Sequence, residues 1–274
     1  MKQILINWDS GIYHDENGLG VGDFLLRLPA VHYFVNNGFH VTIPTKRFKN
    51  LLEGRINNIT VTGEAEAISN LRIYKTYTGI PLKYSHLSAG YLPFCKETFG
   101  NFYNIENNFI YPFLPVSNLE KCVIREKYFL NRKKPILAIL KYASKVHRNW
   151  DEDQWVNVIK RLLPKYCIVN LGVSQSPKNS VKYVCNQDVE DLGDKVKNDW
   201  GELLVILSLC DGFISVNSSM FHLATAARTK KVCVISAKNR FIDDRMGDFQ
   251  WYYPSNQVFF QELNGIEDRI CEQF

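Results

Sequence analysis

The chain opens with a short apolar run, "QILINW" (3–8), then crosses a polar, glycine-bearing stretch, "DSGIYHDENGLGVGD" (9–23). "FLLRLPAVHYFVNN" (24–37) sets apolar residues at helical spacing and predicts a helix that Gly38 ends. "HVTIP" (40–44) reads as a strand, "RFKNLLEG" (47–54) as a short helix and "NITVTG" (58–63) as another strand. Residues 72–130 are rich in Tyr, Phe, Pro and Gly without a clean period, and they predict irregular segments and short helices.

The second half has a firmer rhythm. "ILAIL" (136–140), "CIVNLG" (167–172), "GFISV" (212–216) and "KVCVIS" (231–236) are short apolar runs that predict buried strands. Between them lie three helical patterns: "DEDQWVNVIKRLLPKY" (151–166), capped by Asp151; "WGELLVILSLC" (200–210); and "SMFHLATAARTK" (219–230). "ELNGIEDRICEQF" (262–274) predicts a closing helix. Strands alternating with helices argue for parallel β-α units. The fold class is therefore α/β, with two Rossmann-like domains: residues 1–131, and residues 132–274 with a last helix able to pack back on the first. The charged "NRKKP" (131–135) serves as linker.

Composition narrows this picture modestly. The 274 residues suit two domains, and 46% hydrophobic with 22% charged residues is ordinary for a water-soluble globular chain. No charged-then-apolar leader follows Met1, and the longest apolar run, "LLVILSLC" (203–210), falls far short of the ~20 residues a bilayer span needs. The seven cysteines are scattered and never spaced C-x-x-C, which favours reduced thiols in a cytoplasm over disulfides or a zinc site. A net charge of +5 fits an anionic partner: nucleotide phosphates, an acidic membrane surface or nucleic acid.

Ligands of open α/β sheets bind beyond the carboxyl ends of the strands, and three strand-to-helix turns carry unusual residues. In "GLGVGD" (18–23), Gly20 and Gly22 allow close backbone approach to a ligand, and Asp23 sits at a helix start, where the macrodipole keeps a carboxylate ionised. The same Asp23 also reads as a plain N-cap. In "KYASKVHRNW" (141–150), Lys141, Lys145, His147 and Arg148 stand where a phosphate would need them, or else form a solvated basic loop. In "SVNSSMFHLATAA" (215–227), Asn217, Ser218 and Ser219 leave a helix N-terminus uncovered for an anion, and Met220 and His222 follow within one turn. The plainer alternative is a capping Asn or Ser with a core histidine. "DED" (151–153) mimics a metal-binding D-x-D, but it caps an amphipathic helix.

Taken in order, these segments resemble the lipopolysaccharide heptosyltransferase family, glycosyltransferase family 9. "GVGDFLLRLPAVHYF" (20–34) is similar to its G-x-G-D-x-L-x-x-x-P-A-L segment. "KYASKVHRNWDEDQWVNVIKRL" (141–162) matches its second-domain segment at Ala143, Arg148, Trp150 and Trp155. Residues 191–227 resemble its ending, L-x-G through D-S-G-x-x-H-L-A-A-A. The resemblance implies a GT-B fold, two Rossmann-like domains facing a central cleft. It also implies inverting, metal-free sugar transfer from a nucleotide-diphospho sugar, with no cofactor. Asp23 would be the general base, and Arg148, at the family's lysine position, would neutralise the departing diphosphate. Backbone N–H groups at Ser218, Ser219 and Met220 would hold it, with His222 in support. Two departures stand out: Asn217-Ser218-Ser219 replaces D-S-G, and arginine replaces lysine at 148.

A cytoplasmic enzyme acting on a bacterial surface glycan or glycolipid, peripheral to the inner membrane, is the leading reading. A phage-type transferase acting on a modified base in nucleic acid is an alternative, given 13% aromatic residues and the positive charge. A non-catalytic sugar-nucleotide-binding module is another, supported by Asn217.

Overall fold

Strands apolar on both faces must be covered on both faces, a condition that parallel sheets flanked by helices satisfy. In the structure, a computed structural model, the described residues are 2–7, 21–44, 48–62, 76–78, 112–143, 148–172, 189–196, 199–236, 256–261 and 264–274. They fall into two compact units, Met1–Pro115 and Val116–Phe274.

The first unit holds β1 (Lys2–Asn7), α1 (Val21–Asn36), β2 (Phe39–Pro44), α2 (Lys49–Leu52), β3 (Ile59–Thr62) and β4 (Thr76–Thr78). Its four strands are parallel in the order β3-β2-β1-β4. Val21, Phe24, Leu25, Leu28, Val31 and Phe34 of α1 are all buried, at steps of three and one that keep them on one face. The helix stops where the pattern predicts: Gly38 adopts φ +79° and donates its N–H to Val35 O at 3.0 Å. It starts earlier than the pattern predicts, at Val21 rather than Phe24. Strand β4 has no counterpart in the sequence reading, because three residues are too few to show a period.

The second unit contains α3 (Asn118–Phe129), β5 (Ile136–Leu140), α4 (Glu152–Leu162), β6 (Cys167–Asn170), β7 (Val189–Asp191), α5 (Trp200–Leu209), β8 (Gly212–Val216), α6 (Ser219–Ala226), β9 (Val232–Ser236), β10 (Gln257–Phe260) and α7 (Ile266–Gln273). All six strands are parallel, ordered β10-β9-β8-β5-β6-β7. Every residue of β5, β8 and β9 is buried, as their continuous apolar character requires. The chain builds outward from β5 through β6 and β7. It then returns to lay β8 on the other side of β5, and continues to β9 and β10. The direction of building thus reverses between β5 and β8, the place where open sheets of this order leave a ligand crevice.

The boundary differs from the expected 131–132, and α3 supplies the reason. Ser117 caps this helix with a full capping box: its Oγ accepts from Glu120 N, and the Glu120 carboxylate accepts in turn from the Ser117 N–H. The helix packs on α5, where Lys127 Nζ (2.6 Å) and Tyr128 Oη (3.0 Å) both donate to Glu202. It therefore belongs with the second sheet, and "NRKKP" joins two elements of one unit. The S-x-x-E signature was present in "SNLE". Helix α5 is buried at Gly201 and at every position from Leu203 to Leu207. The closing helix α7 lies within the second unit, on α4, with Arg161 paired to Asp268 at 2.7 Å and Tyr166 Oη donating to Phe274 O at 2.7 Å.

One glycine of the family-like ending has a steric cause. A Cβ at Gly193 would come within 1.8 Å of the Gly172 carbonyl oxygen, so only glycine fits beside the end of β6. Among the described residues, no helix is long and apolar enough to cross a membrane.

Candidate functional site

The carboxyl ends of β5 and β8 lie side by side, with Leu140 paired to Ser215 in register. The β5–α4 loop and the β8–α6 loop therefore leave the sheet next to each other at the reversal point. The tertiary structure thereby gathers two motif segments about 70 residues apart in the chain.

The β8–α6 turn is short, with Asn217 buried and Ser218 and Ser219 half-buried. Asn217 continues the sheet by donating its N–H to Ile235 O at 3.1 Å, and its residue is 6% exposed. Ser218 is the N-cap of α6, extended at φ −148°, ψ 170°, and its Oγ accepts from Met220 N at 3.3 Å. The amides of a first helical turn have no partner within the helix. Of the three expected phosphate donors, the Met220 N–H is thus already engaged with Ser218, leaving the first-turn positions at Ser218 and Ser219 as the better candidates for an anion.

His222 sits one turn into α6, buried, with its ring centroid 3.8 Å from that of Phe221. Burial first, and the Arg148 charge second, push its imidazole down to about 3. The structure thus brings Arg148 electrostatically against His222 and keeps the histidine neutral. A base neutral in the folded state but titrating near 6.5 when unfolded makes the unfolded chain bind more protons below pH 6.5. Its contribution is present above that value and lost as pH falls toward about 3. Chemical denaturation of His222→Leu at pH 7 and at acid pH should show the variant losing less stability than the wild type. The difference should approach about 1.4 kcal/mol per pH unit within the window.

The β5–α4 loop is stapled at its base. Lys141, only 1% exposed, donates to Glu152 Oε1 at 2.7 Å and Oε2 at 2.9 Å, and Tyr142 Oη donates to the same carboxylate. Burial pulls the Lys141 ammonium down to about 8 against the opposing pull of Glu152, and burial first, then Glu152, pushes the Tyr142 hydroxyl up. Ala143 N donates to Asn149 Oδ1 at 2.8 Å, and the Arg148 carbonyl accepts from Gln261 Nε2 at 3.1 Å. Lys141 is therefore a buried member of the loop's base rather than part of a solvated basic rim. Asp151 caps α4 by accepting from Asp153 N (2.9 Å) and Gln154 N (3.4 Å), as its position predicts.

Glu152, Tyr142, Asn149 and Gln261 were not singled out in the sequence. Their roles depend on a folded loop and on β10, and no local spacing announces them. Of the other expected residues, Gly20 and Lys145 lie outside the described residues, as does His147. Gly22 is buried in the first turn of α1, and Asp23 is the third residue of that helix, within its first turn rather than at its cap.

Residues 115–240 match the family model "Glycosyltransferase family 9 (heptosyltransferase)". No curated protein sequence matches the chain. Among solved structures, E. coli ADP-heptose lps heptosyltransferase II is similar over 100% of this chain and 97% of its own, at 15% identity and TM-score 0.70. The glycosyl transferase family 9 protein from Veillonella parvula DSM 2008 is similar over 99% of this chain and 88% of its own, at 10% identity and TM-score 0.72. E. coli heptosyltransferase WaaC with ADP-2-deoxy-2-fluoro heptose follows over 99% and 100%, at 12% identity and TM-score 0.56. At these identities the likeness is one of fold, the GT-B glycosyltransferase fold.

Proposed function

We propose that the chain is a heptosyltransferase-like glycosyltransferase, residues 115–240 of which match the glycosyltransferase family 9 model, and that it moves a sugar from a nucleotide-diphospho sugar to a bacterial surface glycan or glycolipid, with inversion and without a metal. The observation that carries this reading is the convergence of Arg148, neutral His222 and the N-terminal turn of α6 at the reversal between β5 and β8. An arginine close enough to act on His222, beside a helix N-terminus, suits a diphosphate, whose negative charge grows as the sugar–oxygen bond breaks.

The proposed chemistry adds to these donor-side groups Asp23, the base that the family resemblance implies. Asp23 accepts the proton of the acceptor hydroxyl, and the hydroxyl oxygen forms a bond to the anomeric carbon. The bond from that carbon to the diphosphate breaks on the opposite side, and its electron pair leaves with the diphosphate. Arg148 and the Ser218 and Ser219 amides neutralise that charge. His222, neutral through the physiological range, adds no competing cation and supports the turn from beneath.

Two relatives carry ADP-heptose or an ADP-heptose analogue in their descriptions, which makes an ADP-sugar the first donor to test. Asn217, where the family has aspartate, makes the comparison with UDP-, GDP- and CMP-sugars necessary. Thermal unfolding of the full chain in the presence of a chelator is the measurement. A donor at 100 times its Kd should stabilise the fold by about 2.7 kcal/mol. Stabilisation by one nucleotide class supports the reading, and none with any class overturns it. A shift that appears only with added divalent metal removes the metal-free part.

A further inference from the structure

We propose that the outer face of α3, with the basic groove that follows it, docks the chain on an anionic lipid surface. The proposal deepens the glycolipid-acceptor reading above, but its physical basis is independent of the donor site. Leu119, Val123 and Leu130 are 74%, 54% and 69% exposed, and their spacing of four and seven places them along one side of the helix. The opposite side is the one that packs: Ile124 and Phe129 are buried, and Lys127 and Tyr128 reach Glu202 on α5. Apart from Phe113 in the first unit, these three are the exposed large apolar side chains among the described residues. An ordinary helix facing water would carry polar groups at those positions.

The chain leaves this stripe at Leu130 and enters a groove of about 600 Å³ lined by Arg132, Lys133, Lys134 and Lys160, with no carboxylate in its wall. Two of the four cations are anchored. Arg132 pairs with Glu190 at 2.6 Å, and Lys134 Nζ donates to the Leu163 carbonyl at 2.9 Å. Lys133 and Lys160 have no acidic partner among the described residues, and the groove is where their charge concentrates. With Arg132 balanced by Glu190, the three lysines leave the concavity net positive, which favours an anion there. Between Asn118 and Lys134 the sequence holds six Lys and Arg residues against two Glu.

Protruding apolar side chains beside a groove lined by cations describe a headgroup contact: phosphates in the groove and the apolar side chains at the acyl boundary. Glu126 lies on the same outer side, between Val123 and Leu130, so the helix rests at headgroup level rather than within hydrocarbon. The groove opens at the amino ends of β5 and β6, since Lys134 and Cys167 flank their starts. The donor loops leave the carboxyl end of the same sheet. Docking through α3 therefore leaves the donor edge of this unit uncovered.

The test is co-sedimentation of the full chain with phosphatidylglycerol-containing vesicles and with pure phosphatidylcholine vesicles, without donor or acceptor. Binding should require the anionic lipid and collapse at about 0.5 M salt, where charges are screened within a few ångströms. Lys133→Gln/Lys160→Gln should weaken it roughly fivefold per charge removed. Leu119→Ser/Leu130→Ser should weaken it at every salt concentration. Donor-induced thermal stabilisation, read on the same variants, should stay at the wild-type value, which separates failure of docking from failure of the transferase reading. Equal binding to both vesicle types, or wild-type binding by both variants, overturns the proposal. So does full competition by millimolar inorganic phosphate with the leucine variant unaffected, which would make the groove a soluble-phosphate site. Tighter association with duplex DNA than with anionic vesicles would overturn it in favour of nucleic acid.

Discussion

Asp23→Asn should lower kcat by roughly 10²- to 10⁴-fold, the range a positioned general base contributes, while donor-induced thermal stabilisation stays unchanged. Asparagine keeps the size and polarity of the residue but cannot take the acceptor proton. The position suits an ionised carboxylate: Asp23 is the third residue of α1, where the helix N-terminus favours negative charge. The paired measurement separates base from binder. Lost stabilisation would make Asp23 part of donor binding, and retained turnover would remove it from the mechanism.

The second large effect concerns the base of the β5–α4 loop. Glu152→Leu should destabilise the fold by about 3 kcal/mol, because it leaves the Lys141 ammonium buried without its carboxylate. Lys141→Met should instead be near neutral or mildly stabilising at pH 7, since Glu152 is 41% exposed and can be solvated. The two variants differ again with pH. Lys141 releases its proton at about 8 in the folded state but near 10.5 when unfolded. Between those values the unfolded chain binds more protons, so this group raises stability as pH rises. The buried thiols of Cys210 and Cys233 are pushed up, and they pull the opposite way above about pH 9. The readout is therefore the difference between wild type and Lys141→Met in denaturant midpoint from pH 7 to 10. A flat difference would mean that Lys141 does not titrate in that window. If the staple also holds Arg148 in place, Lys141→Met should raise the donor Kd more than it lowers kcat, and Lys141→Arg should restore part of the affinity.

Much of the frame was legible because it depends on local pattern. "ILAIL", "GFISV" and "VCVIS" carry the signature of strands covered on both faces, and every one of their residues is buried. Asp151 announced the start of α4 and Gly38 the end of α1 through backbone requirements confined to a few residues. The three-residue strands β4 and β7 were silent, since they exist only through pairing with a neighbour. Strand β10 was silent for a related reason: it too completes a sheet edge against β9.

The candidate site divides along the same line. Residue types and their order, "GVGD", "KYASKVHRNW" and "NSSMFH", were sufficient to mark which segments carry chemistry and to suggest a family. The partners of those residues were not. Lys141 looked like a solvent-facing phosphate ligand, yet its stem ends inside the fold against Glu152. His222 gave no sign of its protonation state, which burial and a charge 74 positions away, on Arg148, decide together. Sequence by itself determined the longer strands, the end of α1, the start of α4 and the chemical inventory, because hydrophobic period and backbone capping act over a few residues. Tertiary structure alone decided the adjacency of β5 and β8, the burial of Lys141 against Glu152 and the neutral histidine. Strand order and desolvation are properties of the assembled sheet, and no stretch of chain contains them.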